Sequence, residues 1–129
     1  MIKNALGLVL LTLVGLAAGC RALSADDPDQ AVLDSLREAG SDFAQIHPFD
    51  FYIYHPKDSG AGQICAQLRA KGFNISVREA ATGSDWLCLA SLSFVPSNDK
   101  LTEIRSMIED LTKQLGGEYD GWETVVIPK

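Results

Sequence analysis

The stretch His47-Pro48-Phe49-Asp50-Phe51-Tyr52-Ile53-Tyr54-His55 reads as a β-strand, because its apolar and polar side chains alternate. Phe49, Phe51 and Ile53 fall on one side, and Asp50, Tyr52 and Tyr54 on the other, as a half-buried strand requires. Pro56 closes the run. Downstream the period changes. Between Ser59 and Lys71 the apolar residues Ala61, Ile64, Cys65 and Leu68 recur at helical spacing, and Gly72 is a suitable helix stop. From Phe73 to Glu79 the alternation returns, with Phe73, Ile75 and Val77 pointing one way and Asn74, Ser76 and Arg78 the other.

Thr82-Gly83-Ser84 is a turn cluster, and it leads into Trp86 to Phe94, which is apolar at nearly every position and so predicts a central strand. A helix is expected from Asn98 to Leu115, capped by Ser97 or Asn98, with a stripe of Leu101, Ile104, Ile108, Leu111 and Leu115 and a stop at Gly116-Gly117. Glu118 to Ile127 is the expected closing strand. Upstream, Asp27-Pro28 is a cap followed by proline in the first turn, and it predicts a further helix from Pro28 to Ala39. After that helix the order is β-α-β-β-α-β. This predicts an α+β, ferredoxin-like sandwich: a four-stranded antiparallel sheet with two helices on one face, preceded by an extra N-terminal helix. The architecture hosts many functions and names none.

The first twenty residues belong to a different kind of segment. Lys3 begins it, Ala5 to Ala18 is apolar apart from Thr12 and two glycines, and Leu16-Ala17-Ala18-Gly19 precedes Cys20. That run is shorter than the roughly twenty apolar residues a membrane-spanning helix needs, and it fits the core of a signal peptide. Leu16 to Cys20 resembles the bacterial lipobox, in which the cysteine is acylated and becomes the first residue. The expected organisation is a signal peptide over 1–19, a lipidated tether over 20–29 and one domain over 30–129. The expected place is the periplasmic face of the cell envelope. Arg21 after the cysteine favours the outer membrane in a two-membrane bacterium, and a cytoplasmic location is the alternative.

With 11 basic and 17 acidic side chains the chain carries a formal charge of −6, and no basic surface is available to neutralise nucleic-acid phosphates. Removal of residues 1–19 takes away Lys3 and leaves the mature chain more acidic. Eight acids between Asp26 and Asp58 face only Arg37 and Lys57, a balance suited to basic protein segments. No phosphate loop or zinc spacing is present, so no cofactor, metal or small-molecule substrate is expected. His47 and His55 are expected as solitary surface residues about 26 Å apart, too far to share a metal at ~3.3 Å per strand residue. Neither is expected to have a serine and an orienting partner beside it, so no catalytic residues are assigned. Cys65 and Cys88 are expected as buried free thiols, because a helix lies roughly 10 Å from its sheet and a disulfide needs Cα atoms within about 7 Å.

The segment Gly116-Gly117-Glu118-Tyr119-Asp120-Gly121-Trp122-Glu123 resembles the C-terminal signature of the regulator of ribonuclease activity B (RraB) family. Val32-Leu33-Asp34-Ser35-Leu36, Gly40-Ser41-Asp42, the Phe49 to Tyr54 strand, the Leu68 to Phe73 junction and the Trp86 strand follow in the family's order. The resemblance implies a non-enzymatic protein that binds the endoribonuclease RNase E and modulates its RNA cleavage. It makes Glu118, Tyr119, Asp120, Gly121 and Trp122 the candidate partner-binding residues, alongside Cys20 as the candidate lipidation site. Three functions follow: an envelope lipoprotein that binds a protein partner, a ribonuclease regulator, and a small hydrolase, the last disfavoured by the lack of a nucleophile and base.

Overall fold

The computed structural model describes residues 27–129. The expected signal peptide, the expected lipidation site Cys20 and the expected tether as far as residue 26 lie outside the described residues. Helix α1 spans Pro28–Glu38, strand β1 His47–His55, helix α2 Asp58–Ala70, strand β2 Asn74–Glu79, strand β3 Trp86–Phe94, helix α3 Asn98–Leu115 and strand β4 Glu118–Glu123. The sheet is antiparallel and four-stranded with order β2-β3-β1-β4, the order of a ferredoxin-like α+β fold. The two interior strands are the long apolar ones, and the polar β2 and β4 lie at the edges. Across β2 and β3, Val77 faces Cys88 and Arg78 faces Leu87. Among the described residues no helix is long and apolar enough to cross a membrane.

Contacts divide the chain into two compact units. The first holds the described residues up to Phe49, with Ser93–Thr102 and Glu123–Lys129. In it α1 begins as its sequence dictates: the Asp27 carboxylate accepts a hydrogen bond from the Asp29 amide at 3.0 Å, and Pro28 occupies the first turn. Val32, Leu33 and Leu36 form its buried stripe. Asn98 donates to the same Asp27 carboxylate at 2.9 Å, and the Ser97 hydroxyl caps α3 by accepting from the Lys100 amide at 3.2 Å. Phe49 stacks on Phe94 with ring centroids 4.3 Å apart.

The final residues of this unit leave the sheet. β4 ends at Glu123 and does not continue to Ile127, because the backbone beyond it finds other partners. Thr124 donates its hydroxyl to the Pro48 carbonyl at 2.6 Å, Ile127 donates its amide to Ser41 Oγ at 2.9 Å, and the Asp42 amide donates to the Ile127 carbonyl at 2.7 Å.

The second unit comprises Asp50–Leu92 and Glu103–Trp122. Phe51, Ile53, Ile64, Leu68, Phe73 and Ile108 form its core, with Phe51 and Phe73 meeting edge to face. Cys65 on α2 and Cys88 on β3 are joined in a disulfide, which corrects the expectation of two free thiols. Their Cα atoms lie 5.7 Å apart. A helix-to-sheet spacing of roughly 10 Å refers to the helix axis, whereas the Cα atoms on the inner side of a helix stand ~2.3 Å nearer the sheet. Small buried side chains on α2 and β3, Ala61 and Ala90, favour a still closer approach.

Candidate functional site

Both histidines are buried, contrary to the surface placement expected for them. They share the core side of β1 with Phe49, Phe51 and Ile53, since all five occupy odd-numbered positions of one strand. His47 Nδ1 lies 2.9 Å from the Gln45 carbonyl, which can only accept, so this nitrogen carries the proton. Nε2 is therefore an acceptor, and the Ser41 hydroxyl donates to it at 2.5 Å. A serine, an imidazole and an orienting carbonyl thus stand in series, an arrangement not anticipated from the sequence. Its place in the fold gives it an architectural role. Ser41 is 3% exposed and His47 fully buried, and Ser41 Oγ already accepts the Ile127 amide. The set ties the loop after α1 to the C-terminal residues and leaves no approach for a substrate.

At the other end of β1, His55 Nε2 donates to the Leu115 carbonyl at the end of α3, at 2.9 Å. Its Nδ1 accepts from the Lys57 amide at 3.0 Å. Both nitrogens are committed, and the ring seals the last turn of α3 against the first turn of α2.

The surface with chemical potential lies on the side of the sheet away from α2, in the second unit. Tyr54 projects to that side because it alternates with Ile53 and His55. The chain between β2 and β3 makes a tight return in which the Ala80 amide donates to the Asp85 carbonyl at 2.9 Å and Gly83 adopts a φ of +76°. Together they form an open cleft of about 270 Å³ lined by Tyr54, Ala80, Ala81, Thr82, Asp85 and Asp120. The Tyr54 phenol is held above its ordinary pKa of 10.0, first by burial and then by the Asp120 carboxylate, with Arg78 acting in the opposite sense. A phenol with the Asp120 carboxylate acting on it, in a cleft that Asp85 also lines, presents acceptors and a ring face, which suits a cationic side chain in spite of the nearby Arg78.

Asp120 belongs to the segment singled out in the sequence. Glu118 and Asp120 are exposed, Tyr119 and Gly121 half-buried, and Trp122 is 6% exposed. The strand's alternation slips by one residue here, since Tyr119 and Trp122 are the more buried positions while Gly121 takes a φ of +104° that other residues rarely adopt. That slip turns the indole inward. Trp122 is consequently a packing residue, and the groups this segment offers to solvent are the two carboxylates. Tyr54, Thr82 and Asp85 belong to no motif that marks them as site residues, although the outward parity of Tyr54 is legible in the sequence.

Residues 26–124 match the family model described as Regulator of ribonuclease activity B. The chain belongs to that family. No curated protein matches it. The matched range of this regulator of ribonuclease activity B family member takes in the whole second unit, with the Cys65–Cys88 bond and the Tyr54–Asp120 cleft, and most of the first. It stops just past Trp122, short of the residues that bond to Ser41 and Asp42.

Proposed function

We propose that the chain is a non-enzymatic regulator that acts by binding a protein partner, anchored in the cell envelope through lipid on Cys20. The observation that carries the binding role is the coincidence of the family's C-terminal run with the cleft: Asp120 lines it together with Tyr54 and Asp85. Acidic groups around a phenol on an acidic domain favour a basic partner segment. The Cys65–Cys88 bond supports the envelope assignment, because disulfides persist in oxidising compartments and are rare in the cytosol. The lipobox resemblance of Leu16 to Cys20 supports it independently.

A second reading, regulation of RNase E by direct binding, is favoured by the family description. The two readings require different compartments, since RNase E acts inside the cell. Capture from envelope extract and binding to purified RNase E, each with wild-type protein and Asp120→Asn, separate them. The envelope reading expects capture that weakens at least tenfold with Asp120→Asn at an unchanged melting temperature, and no binding to RNase E. RNase E binding by a chain recovered from the cytosol overturns the envelope reading. Capture indifferent to Asp120→Asn overturns the cleft.

A further inference from the structure

We infer that the end of the first unit where β1 begins and β3 finishes is a lipid-contacting surface, with Ile46 and Val95 entering the headgroup layer of the membrane that carries the anchor. This rests on the proposed acylation of Cys20. Among the described residues the exposed large apolar side chains are Ile46 at 62%, Val95 at 45% and Val77 at 38%. Val77 sits on an edge strand, whereas Ile46 and Val95 occupy one end of the fold. Phe49 and Phe94 stack at 4.3 Å, and β1 and β3 run antiparallel. Moving back along β1 to Ile46 and forward along β3 to Val95 therefore leads in the same direction.

The chain enters the fold at that end as well. Asp27 is bonded to Asn98 at 2.9 Å, three residues beyond Val95. Seven residue steps separate Cys20 from Asp27, and at ~3.6 Å per residue the lipid attachment lies within about 25 Å of this point. An anchor so short keeps the surface at high effective concentration over the bilayer, so two apolar side chains suffice where they would not recruit a free domain. Asp42 and Asp99 on this unit, half-exposed and exposed, outnumber the half-exposed Lys100 beside them and give anionic headgroups no net attraction. The surface thus fits a zwitterionic membrane, such as one of phosphatidylethanolamine and phosphatidylcholine, and a basic patch for acidic lipids is not what it offers.

The test uses the full chain purified from its membrane and reconstituted in phosphatidylethanolamine–phosphatidylcholine vesicles containing brominated lipid. With Cys65 and Cys88 paired and Cys20 acylated, a single introduced thiol accepts a nitrobenzoxadiazole label at Ile46→Cys, Val95→Cys or Thr82→Cys. Thr82 lies in the turn before β3, at the opposite end of that nine-residue strand. Quenching at 46 and 95 should exceed that at 82 at least threefold, and Val95→Asp should reduce it at 46. Equal quenching at all three sites on an acylated chain overturns the orientation and leaves the anchor standing. An intact mass without lipid on Cys20 overturns both. Label burial that depends on protein concentration and not on brominated lipid assigns the surface to a second copy of the chain and overturns the inference.

Discussion

The imidazole of His55 occupies the space that a side chain at Gly60 would fill: a Cβ built on that glycine overlaps Cε1, Nε2 and Nδ1 of the ring. Gly60 lies in the first turn of α2, where alanine would ordinarily be favoured by about 1 kcal/mol. Overpacking reverses the preference. Gly60→Ala should destabilise the protein by roughly 1–3 kcal/mol, the usual cost of an inserted methyl group in a packed interior. Urea denaturation of Gly60→Ala, His55→Ala and the double variant checks this. The penalty at position 60 should shrink in the His55→Ala background, and an undiminished penalty would falsify the steric account.

Ser41→Ala should loosen the C-terminal residues. It removes the hydroxyl that donates to His47 and the oxygen that accepts from Ile127, leaving a buried ring nitrogen and a half-buried amide short of a partner. A loss of about 1–3 kcal/mol is expected from one such unsatisfied site. Amide exchange should accelerate at Ile127 and Asp42 well before it does at Phe51 or Ile53. Uniform acceleration across the chain would contradict a local role.

Trp122→Ala and Asp120→Asn should have opposite profiles. The indole is buried, so its truncation is expected to cost ~3–5 kcal/mol, as large-to-small core changes do. The exposed carboxylate should be replaceable by amide with a change in melting temperature of no more than a degree or two. A stable Trp122→Ala protein would place the indole outside the core.

Tyr54 should be a late-titrating tyrosine by phenolate absorbance, because burial and Asp120 both favour its neutral form. With the folded pKa raised, the unfolded chain ionises first as pH climbs past about 10, and stability falls from there upward. Asp120→Asn should lower the titration midpoint of Tyr54, and Arg78→Gln should raise it. A midpoint unmoved by Asp120→Asn would mean that burial acts alone.

Much of the fold was legible because it depends on local period. β1, β3 and α3 begin and end where alternation, helical spacing and Ser97 place them. The burial of His47 and His55 was also written in the parity of β1, yet the polarity of the side chains argued for solvent. The fixed tautomers resolve this, since each nitrogen has a partner. The disulfide was not legible, because it turns on a few ångströms between helix and strand that average layer spacings do not capture. The cleft required residues from β1, the β2–β3 turn and β4 to be brought together, which no spacing in the sequence encodes. For Trp122, the slip at Gly121 decided the side to which the ring turned.

The Cys65–Cys88 bond spans 23 positions, and the whole of β2 lies inside the loop it closes. Edge strands are the elements most readily traded between molecules, since they are held on one side only. Here the strand is threaded into a covalent ring with α2 and β3. In the oxidised protein β2 cannot be donated to a neighbour while the rest of the sheet stays at home, so exchange of this edge strand, and the dimers it seeds, are open only to the reduced chain. If the chain is exported before it folds, as proposed above, the ring closes as the sheet forms and this edge is withheld from neighbouring chains from the start.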